Sequence, residues 1–339
     1  MTEWQGSALV QLLEDTAGTR RAESLFELLE VPQALLTPPA KPVPRAVLAM
    51  AMDLLLFEDL VRRVPAASLY LLQQRREGRK IVYDHGALRT VKAPCGQLPQ
   101  GHLAFARLLE PLGYKVNGIY PLDRLAMTGH AYAHEDLPEG IPQFFVSELH
   151  PERFSKAFQE TAARVLSSSK DPLPTWAHPI LDELRERKAL PFGQARKLLP
   201  NLAACFDRQH AVPDVSDYQA LLAESAEMAW IATEGNAFNH ATDRVDDVLL
   251  LSEAQKALGR PMKEVVEVST SGRVLQTAYK AALVERAFVD PGGRMVSQTV
   301  PGSFFEFITR KPEAEGILDL RFDAGNAQAI FKMTATEWC

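Results

Sequence analysis

The chain has 339 residues, 46% of them hydrophobic, enough to bury a sizeable core in one large domain or two smaller ones. Its 37 basic and 43 acidic residues give a formal charge of −6 with no basic block, which argues against nucleic acid or an anionic membrane as partner. Cys95, Cys205 and Cys339 are isolated and odd in number, so neither a disulfide framework nor a CxxC zinc site is expected, and a reducing cytoplasm fits.

The first residues, MTEWQGSALVQLLEDTAG, carry acids early and lack the basic run of a secretory signal. Apolar residues recur at helical spacing over residues 4–15 and 22–31. Pro38, Pro39, Pro42 and Pro44 interrupt that pattern, because proline cannot continue a helix. Helices resume over residues 45–74. The longest apolar stretch, 46–57, is broken by Asp53 and is too short to span a bilayer.

At residue 80 the texture changes. The run KIVYDHGALRTV (80–91) is rich in β-branched and aromatic residues and reads as a strand. A helix is expected over 100–112 and strands over 114–122, 126–134 and 143–150. The same β-α-β-β-β order recurs as a strand over 238–245, a helix over 246–258 with acids in its first turn, and strands over 265–270, 274–281 and 303–310. Residues 151–235 read as helices with a Ser/Pro-rich break, SSSKDPLPTW. Two histidines, at 85 and 240, stand 155 residues apart, and the pairs Phe144-Phe145 and Phe304-Phe305 stand 160 apart. A nearly constant offset marks an internal duplication. In the register of the two Phe-Phe pairs, Glu306 corresponds to Val146.

The predicted architecture is α+β: two β-α-β-β-β modules forming one curved mixed sheet, with N-terminal helices and a helical insertion. Residues 1–79 form the N-terminal helical segment, 80–150 the first module and 151–235 the insertion. Residues 236–339 form the second module with a C-terminal segment, and the two modules make one catalytic domain. The helical parts are expected to cover the sheet.

Chemistry concentrates in His85 with Arg89 (HGALR), His240 with Arg244 (HATDR), and Glu306 (SFFEFITR). Side chains alternate along a strand, so residues four apart share a face. Two imidazoles and a carboxylate are the ligand set of a facial triad that holds Fe(II) and leaves positions open. A glutamate among Phe304, Phe305 and Phe307 is costly to bury without a partner. Arginines about 13 Å along the strand from the histidines would suit the far carboxylate of an organic acid. Arg89 is expected to touch substrate, whereas for Arg244 a salt bridge to Asp243 or Asp246 is as good a reading. His130 and His134 are a competing pair, set too far apart on a strand to share one ion. His150, on the face of Val146, is a further candidate for the cleft lining, while His102, His178 and His210 read as surface or capping residues. Cys95 has nothing near it in sequence to activate its thiol. Dinucleotide, P-loop, serine-hydrolase and HExxH motifs are missing.

The segments HGALRT (85–90), GHAYAHED and QFFVSEL (129–149), NHATDRV (239–245) and SFFEF (303–307) resemble the 2-oxoadipate dioxygenase/decarboxylase family of the vicinal oxygen chelate, or glyoxalase-like, superfamily. The resemblance implies Fe(II) held by His85, His240 and Glu306, with Arg89 binding substrate and acting in catalysis. It further implies a C-terminal substrate contact near Gly325 and Asn326. The implied reaction joins a 2-oxo diacid such as 2-oxoadipate and O2, releasing CO2 and the one-carbon-shorter 2-hydroxy acid, 2-hydroxyglutarate. Two other readings stand beside it. One is a glyoxalase-like lyase or isomerase using Zn, Ni or Mn. The other is a non-enzymatic module of the same fold that binds a small acid.

Overall fold

A computed structural model describes residues 4–38, 42–313, 316–323 and 325. The N-terminal part folds as α1 (Ala8–Ala17), α2 (Thr19–Leu28), the short β1 (Val43–Pro44), α3 (Arg45–Arg63) and α4 (Pro65–Arg76). Helix α1 starts on Ser7, whose hydroxyl accepts from the Val10 N–H, and α4 starts on Pro65, whose missing N–H costs nothing there. The first module is β2 (Tyr83–Val91), α5 (Leu103–Leu109), β3 (Tyr114–Leu122), β4 (Met127–His134) and β5 (Gln143–Leu149). The insertion holds α6 (Lys156–Leu166), α7 (Ala177–Arg187), β6 (Ala189–Leu190), α8 (Phe192–Ala204), α9 (Val215–Leu222) and α10 (Ala226–Glu234). The second module is β7 (Phe238–Arg244), α11 (Val248–Ala257), β8 (Glu267–Val268), β9 (Val274–Ala278), β10 (Leu283–Val289), β11 (Met295–Pro301) and β12 (Phe304–Arg310).

Eight strands form one curled mixed sheet in the order β3-β4-β5-β2-β7-β12-β9-β8. The modules meet at the antiparallel β2–β7 seam, and each seam strand has a parallel partner within its own module, β5 for β2 and β12 for β7. The predicted strand at 265–270 is reduced to Glu267–Val268, and a β10–β11 hairpin that the sequence reading passed over stands as a separate two-stranded sheet. Exposure alternates along both strands, and of their residues only Phe288 and Val300 are fully turned inward.

Register corrects the duplication alignment. His85 pairs with Gln143 and His240 with Phe304, so the residue matching Glu306 is Phe145 and not Val146. A slip of one residue moves a side chain to the other face. Val146 indeed packs on the back of the sheet, and His150, whose ring meets Thr128, does not line the site face.

The two faces bury different helices. On the back, Leu88, Phe144, Val146, Phe305 and Phe307 pack with leucines of α1, α3 and α8. On the face bearing His85, Ala87, Val91 and Phe145 pack with Phe158 of α6, Leu221 of α9 and Trp230 of α10. The insertion thus divides between both faces, and β1 pairs with β6 to tie it to the N-terminal helices. Gly129 of β4 lies against Phe145, and a Cβ there would overlap that ring. Gly129→Ala is expected to lower stability by about 1–3 kcal/mol through overpacking. Urea denaturation reads this, and an unchanged midpoint would mean that the Phe145 ring swings aside without strain.

Candidate metal centre

Strand pairing brings three far-apart residues together. His85 opposes Thr242 across the seam, and Glu306 lies beside Thr242 on the parallel strand β12, so Thr242 sits between them. His240, two residues before Thr242, projects from the same face. The Nε2 of His240 is 3.0 Å from Glu306 Oε2, that of His85 is 3.6 Å from it, and the two Nε2 atoms are 3.4 Å apart. Donors at right angles around one ion, each about 2.1 Å from it, stand about 3 Å apart. All three side chains are buried. Glu306 Oε1 is buried with no hydrogen-bond partner among the described residues. A carboxylate oxygen left so is expensive unless a cation meets it. Two imidazole nitrogens and a carboxylate suit a first-row divalent ion such as Fe(II) and leave positions open, so the residues fit the metal that the sequence implies.

Behind the ligands lies a second set of contacts. A register shift between Tyr83 and His85 lets adjacent Asp84 and His85 act together, as bulges commonly re-aim side chains. Asp84 Oδ1 lies 2.8 Å from His85 Nδ1. That bond holds the Nδ1–H tautomer and leaves the Nε2 lone pair directed at the centre. Asp84 in turn accepts from Arg310 Nε and Nη2, both at 2.9 Å, and from Arg244 Nε at 2.8 Å. Arg310 and Asp84 are both fully buried, and Arg310 Nη1 reaches the carbonyls of Asp319 and Arg321. The Thr242 hydroxyl lies 3.0 Å from Glu306 Oε2 and 3.1 Å from His85 Nε2. Asn239 Nδ2 is 3.2 Å from His240 Nδ1. Phe304 flanks the His240 ring, and Phe322 from the C-terminal segment sits edge-on to His85 at 4.8 Å.

The electrostatics follow from burial opposed by neighbours. Burial pushes Glu306 up, but the His240 ring and the hydrogen bonds from both imidazoles outweigh it and hold the carboxyl down at about 2. Burial lowers His240 below the ordinary histidine value despite Glu306, which favours the neutral ring that a metal needs. His85 is also opposed by burial, yet Asp84 and Glu306 raise it. Asp84 is held well below the usual carboxylate range, since the Arg310 charge overcomes the desolvation.

The other predicted residues divide. Arg89 shares the face of His85 and is fully buried, its guanidinium 4.8 Å over the Trp230 ring. Burial lowers it to about 10, against the pull of Glu227, so it stays charged at neutral pH. Arg244 is turned onto Asp84, a salt bridge neither of the two sequence-proposed partners makes. Gly325 is exposed and Asn326 lies outside the described residues. His134 is a satisfied core histidine, bonded to the Leu112 carbonyl and the Asp136 N–H. His210, read as surface or capping, is buried against the Ala232 carbonyl. His102, read the same way, reaches Glu148 instead.

Comparison with known proteins gives the family. The family model for 2-oxoadipate dioxygenase/decarboxylase matches residues 53–318. The chain belongs to the 2-oxoadipate dioxygenase/decarboxylase family. It is 22% identical over 307 residues to the chloroplastic/amyloplastic 2-oxoadipate dioxygenase/decarboxylase of Oryza sativa subsp. japonica, covering 82% of this chain and 76% of that protein. A Ralstonia eutropha JMP134 protein, whose crystal structure is named for the glyoxalase superfamily, is 53% identical. The match covers 94% of this chain and 99% of that one, with a TM-score of 0.90. The hydroxyglutarate synthase of Oryza sativa, solved with 2-oxoadipate, shares the fold at 19% identity and a TM-score of 0.68, covering 86% and 94%.

Within this 2-oxoadipate dioxygenase/decarboxylase family member, sequence reasoning passed over Asp84, Arg310, Thr242 and Phe322. Two of them had a legible signal. Asp84 directly precedes His85, and Arg310 follows Glu306 by four residues, the spacing already noted for His85 with Arg89 and His240 with Arg244. Phe322 had none, because only the return of the chain end over the sheet brings it to His85.

Proposed function

We propose that the protein is an Fe(II)-dependent dioxygenase/decarboxylase. It would convert a 2-oxo diacid of the 2-oxoadipate type to the one-carbon-shorter 2-hydroxy acid and CO2. The observation that carries this reading is the convergence of His85 Nε2, His240 Nε2 and Glu306 Oε2 within 3.6 Å of one another. The family's description names both the substrate and the reaction. Atoms balance: 2-oxoadipic acid and O2 equal 2-hydroxyglutaric acid and CO2, with no external reductant. The N-terminal helices, both modules and the insertion would work as one catalytic unit.

His85, His240 and Glu306 would hold the iron, which supplies the dioxygen chemistry that amino-acid side chains lack. The chain's own part is binding, orientation and exclusion of water. Asp84 holds the His85 proton on Nδ1, and Arg310 and Arg244 hold Asp84 ionised. Thr242 keeps Glu306 Oε2 turned toward the rings. Phe322 against His85, Phe304 against His240 and Trp230 under Arg89 would exclude water, which strengthens every charge interaction beside them. Arg89, cationic and buried on the same face, would receive the distal carboxylate of the diacid. A guanidinium is matched to that group in charge and shape.

Two outcomes check this reading. An oxygen-electrode screen of 2-oxo acids of increasing chain length with added Fe(II) should give uptake that peaks at the six-carbon diacid. Turnover that persists without oxygen would point to a glyoxalase-like lyase or isomerase, and binding without turnover to a small-acid module. Arg89→Ala should raise KM for the diacid by about 100-fold, near 3 kcal/mol of lost charge-assisted contact, and leave KM for a monocarboxylic 2-oxo acid within about threefold. An unchanged diacid KM would remove Arg89 from the substrate site.

A further inference from the structure

We propose that His102, His130 and Glu148 form a second site for a divalent first-row cation, on the face of the sheet opposite the His85 centre. Register sets its place. Glu148 pairs with Thr90 and Thr128, and His130 with Val146, so both side chains leave the back of the sheet. His102 comes from the loop that enters α5. One ligand atom from each of the three residues lies within 4.8 Å of the others.

Three observations point to an ion. First, His130 is buried and its Nε2 has no hydrogen-bond partner among the described residues. It is aimed at Glu148 Oε1, 3.9 Å away, beyond hydrogen-bond reach and close to the donor spacing of about 3.4 Å around a tetrahedral ion. Second, Glu148 is buried, and its Oε2 takes both the His102 N–H at 2.9 Å and His102 Nδ1 at 3.0 Å. One short edge of the donor triangle is already in place. Third, the rings of His102 and His130 stack at 3.9 Å, and a nitrogen of each, Nδ1 and Nε2, faces the Glu148 carboxylate. Gly101 has φ +56, and a Cβ there would collide with Glu148 Oε2, so glycine alone lets the chain pass this close and present His102. His102 is partly exposed, which gives an ion a route in and leaves a position for water. Lys92 Nζ, 3.9 Å from Glu148 Oε1, is mostly exposed and free to withdraw when a cation enters. Two imidazoles, a carboxylate and a water are a donor set that zinc accepts. An ion here would fasten the α5 entry loop to β4 and β5, a structural role separate from the His85 centre.

The test is a Zn2+ titration of the full-length protein, stripped by chelator, against a chromophoric competitor. Wild type should take two equivalents, and His102→Ala one. His240→Ala should also take one, and the double variant none. His130→Asn repeats the His102→Ala result at a second ligand, and the melting temperature of each metal-free variant confirms that it folds. Two equivalents retained by both His102→Ala and His130→Asn would overturn the proposal. So would a single wild-type equivalent that His240→Ala abolishes. A single wild-type equivalent lost in His102→Ala and kept in His240→Ala would support this site while sinking the His85 centre.

Discussion

His240→Ala is expected to abolish iron binding and to reduce kcat/KM for a 2-oxo diacid by at least about 1,000-fold, near 4 kcal/mol of transition-state stabilisation. The reasoning is geometric. Of the two imidazole nitrogens, His240 Nε2 is the nearer to Glu306 Oε2, at 3.0 Å against 3.6 Å for His85. Its removal leaves two ligands, one of which is a buried carboxylate whose other oxygen has no hydrogen-bond partner among the described residues. Alanine also opens a gap beside the Phe304 ring, so the variant should be checked for fold by circular dichroism before its iron content is measured. Iron retained at wild-type affinity in a folded His240→Ala protein would mean that the ion sits elsewhere.

Asp84→Ala is expected to produce the largest loss of stability. Asp84 is the acceptor for Arg310, Arg244 and His85 at once, and both it and Arg310 are fully buried. Removing one partner of a buried ion pair leaves an uncompensated charge, which costs about 3–5 kcal/mol. The backbone carbonyls of Asp319 and Arg321 remain on Arg310 Nη1 and offset only part of that. The variant should also lose about 10–100-fold in iron affinity, because His85 is no longer held in its Nδ1–H tautomer. Denaturant unfolding of the metal-free protein reads the first effect and competition with a chelator the second. A stability change below about 1 kcal/mol would show that water or another acceptor replaces the carboxylate. Asp84→Asn keeps the size and part of the bonding, and should fall between the two.

Several features of this arrangement were legible in the amino-acid sequence because they depend on local periodicity. Strand β2 is read from KIVYDHGALRTV, and alternation alone puts His85 and Arg89 on one face. The repeated strand-helix-strand order announces two modules, and two modules facing one another explain how residues 155 apart in the chain meet. Glu306 stands out because its neighbours are phenylalanines. Other features depend on non-local contacts. Matching the Phe-Phe pairs misplaces the counterpart of Glu306 by one residue, since sequence identity ignores which strands are bonded, and the bonded register selects Phe145. Arg244 has the sequence signature of a substrate residue, yet Asp84, brought near by the shift at Tyr83, captures its guanidinium. The β10–β11 hairpin was passed over because LVERAFV and MVSQTVP lack polar/apolar alternation, although Pro291, Gly292 and Gly293 lie between them, a turn signal that was there to be read. His102 and Glu148, 46 residues apart, carry no sequence pattern that joins them.

The arrangement also explains why so much charge is buried on one face. Arg89, Arg310, Asp84, His85, His240 and Glu306 are each nearly or wholly inaccessible to water. Such a cluster folds only if the charges are matched in pairs. Asp84 meets Arg310, and Glu306 meets the two imidazoles. A buried, largely satisfied network of this kind is rigid, and rigidity keeps three ligands from separate strands in place.

The most direct test of the account is the stoichiometry of the reaction itself. With Fe(II) and 2-oxoadipate supplied, oxygen uptake and CO2 release are recorded on the same sample, for wild type and for Glu306→Ala. The account predicts one O2 consumed for each CO2 released, 2-hydroxyglutarate as the organic product, and neither gas exchanged by the variant. CO2 release without oxygen uptake, or equal activity in Glu306→Ala, would contradict it.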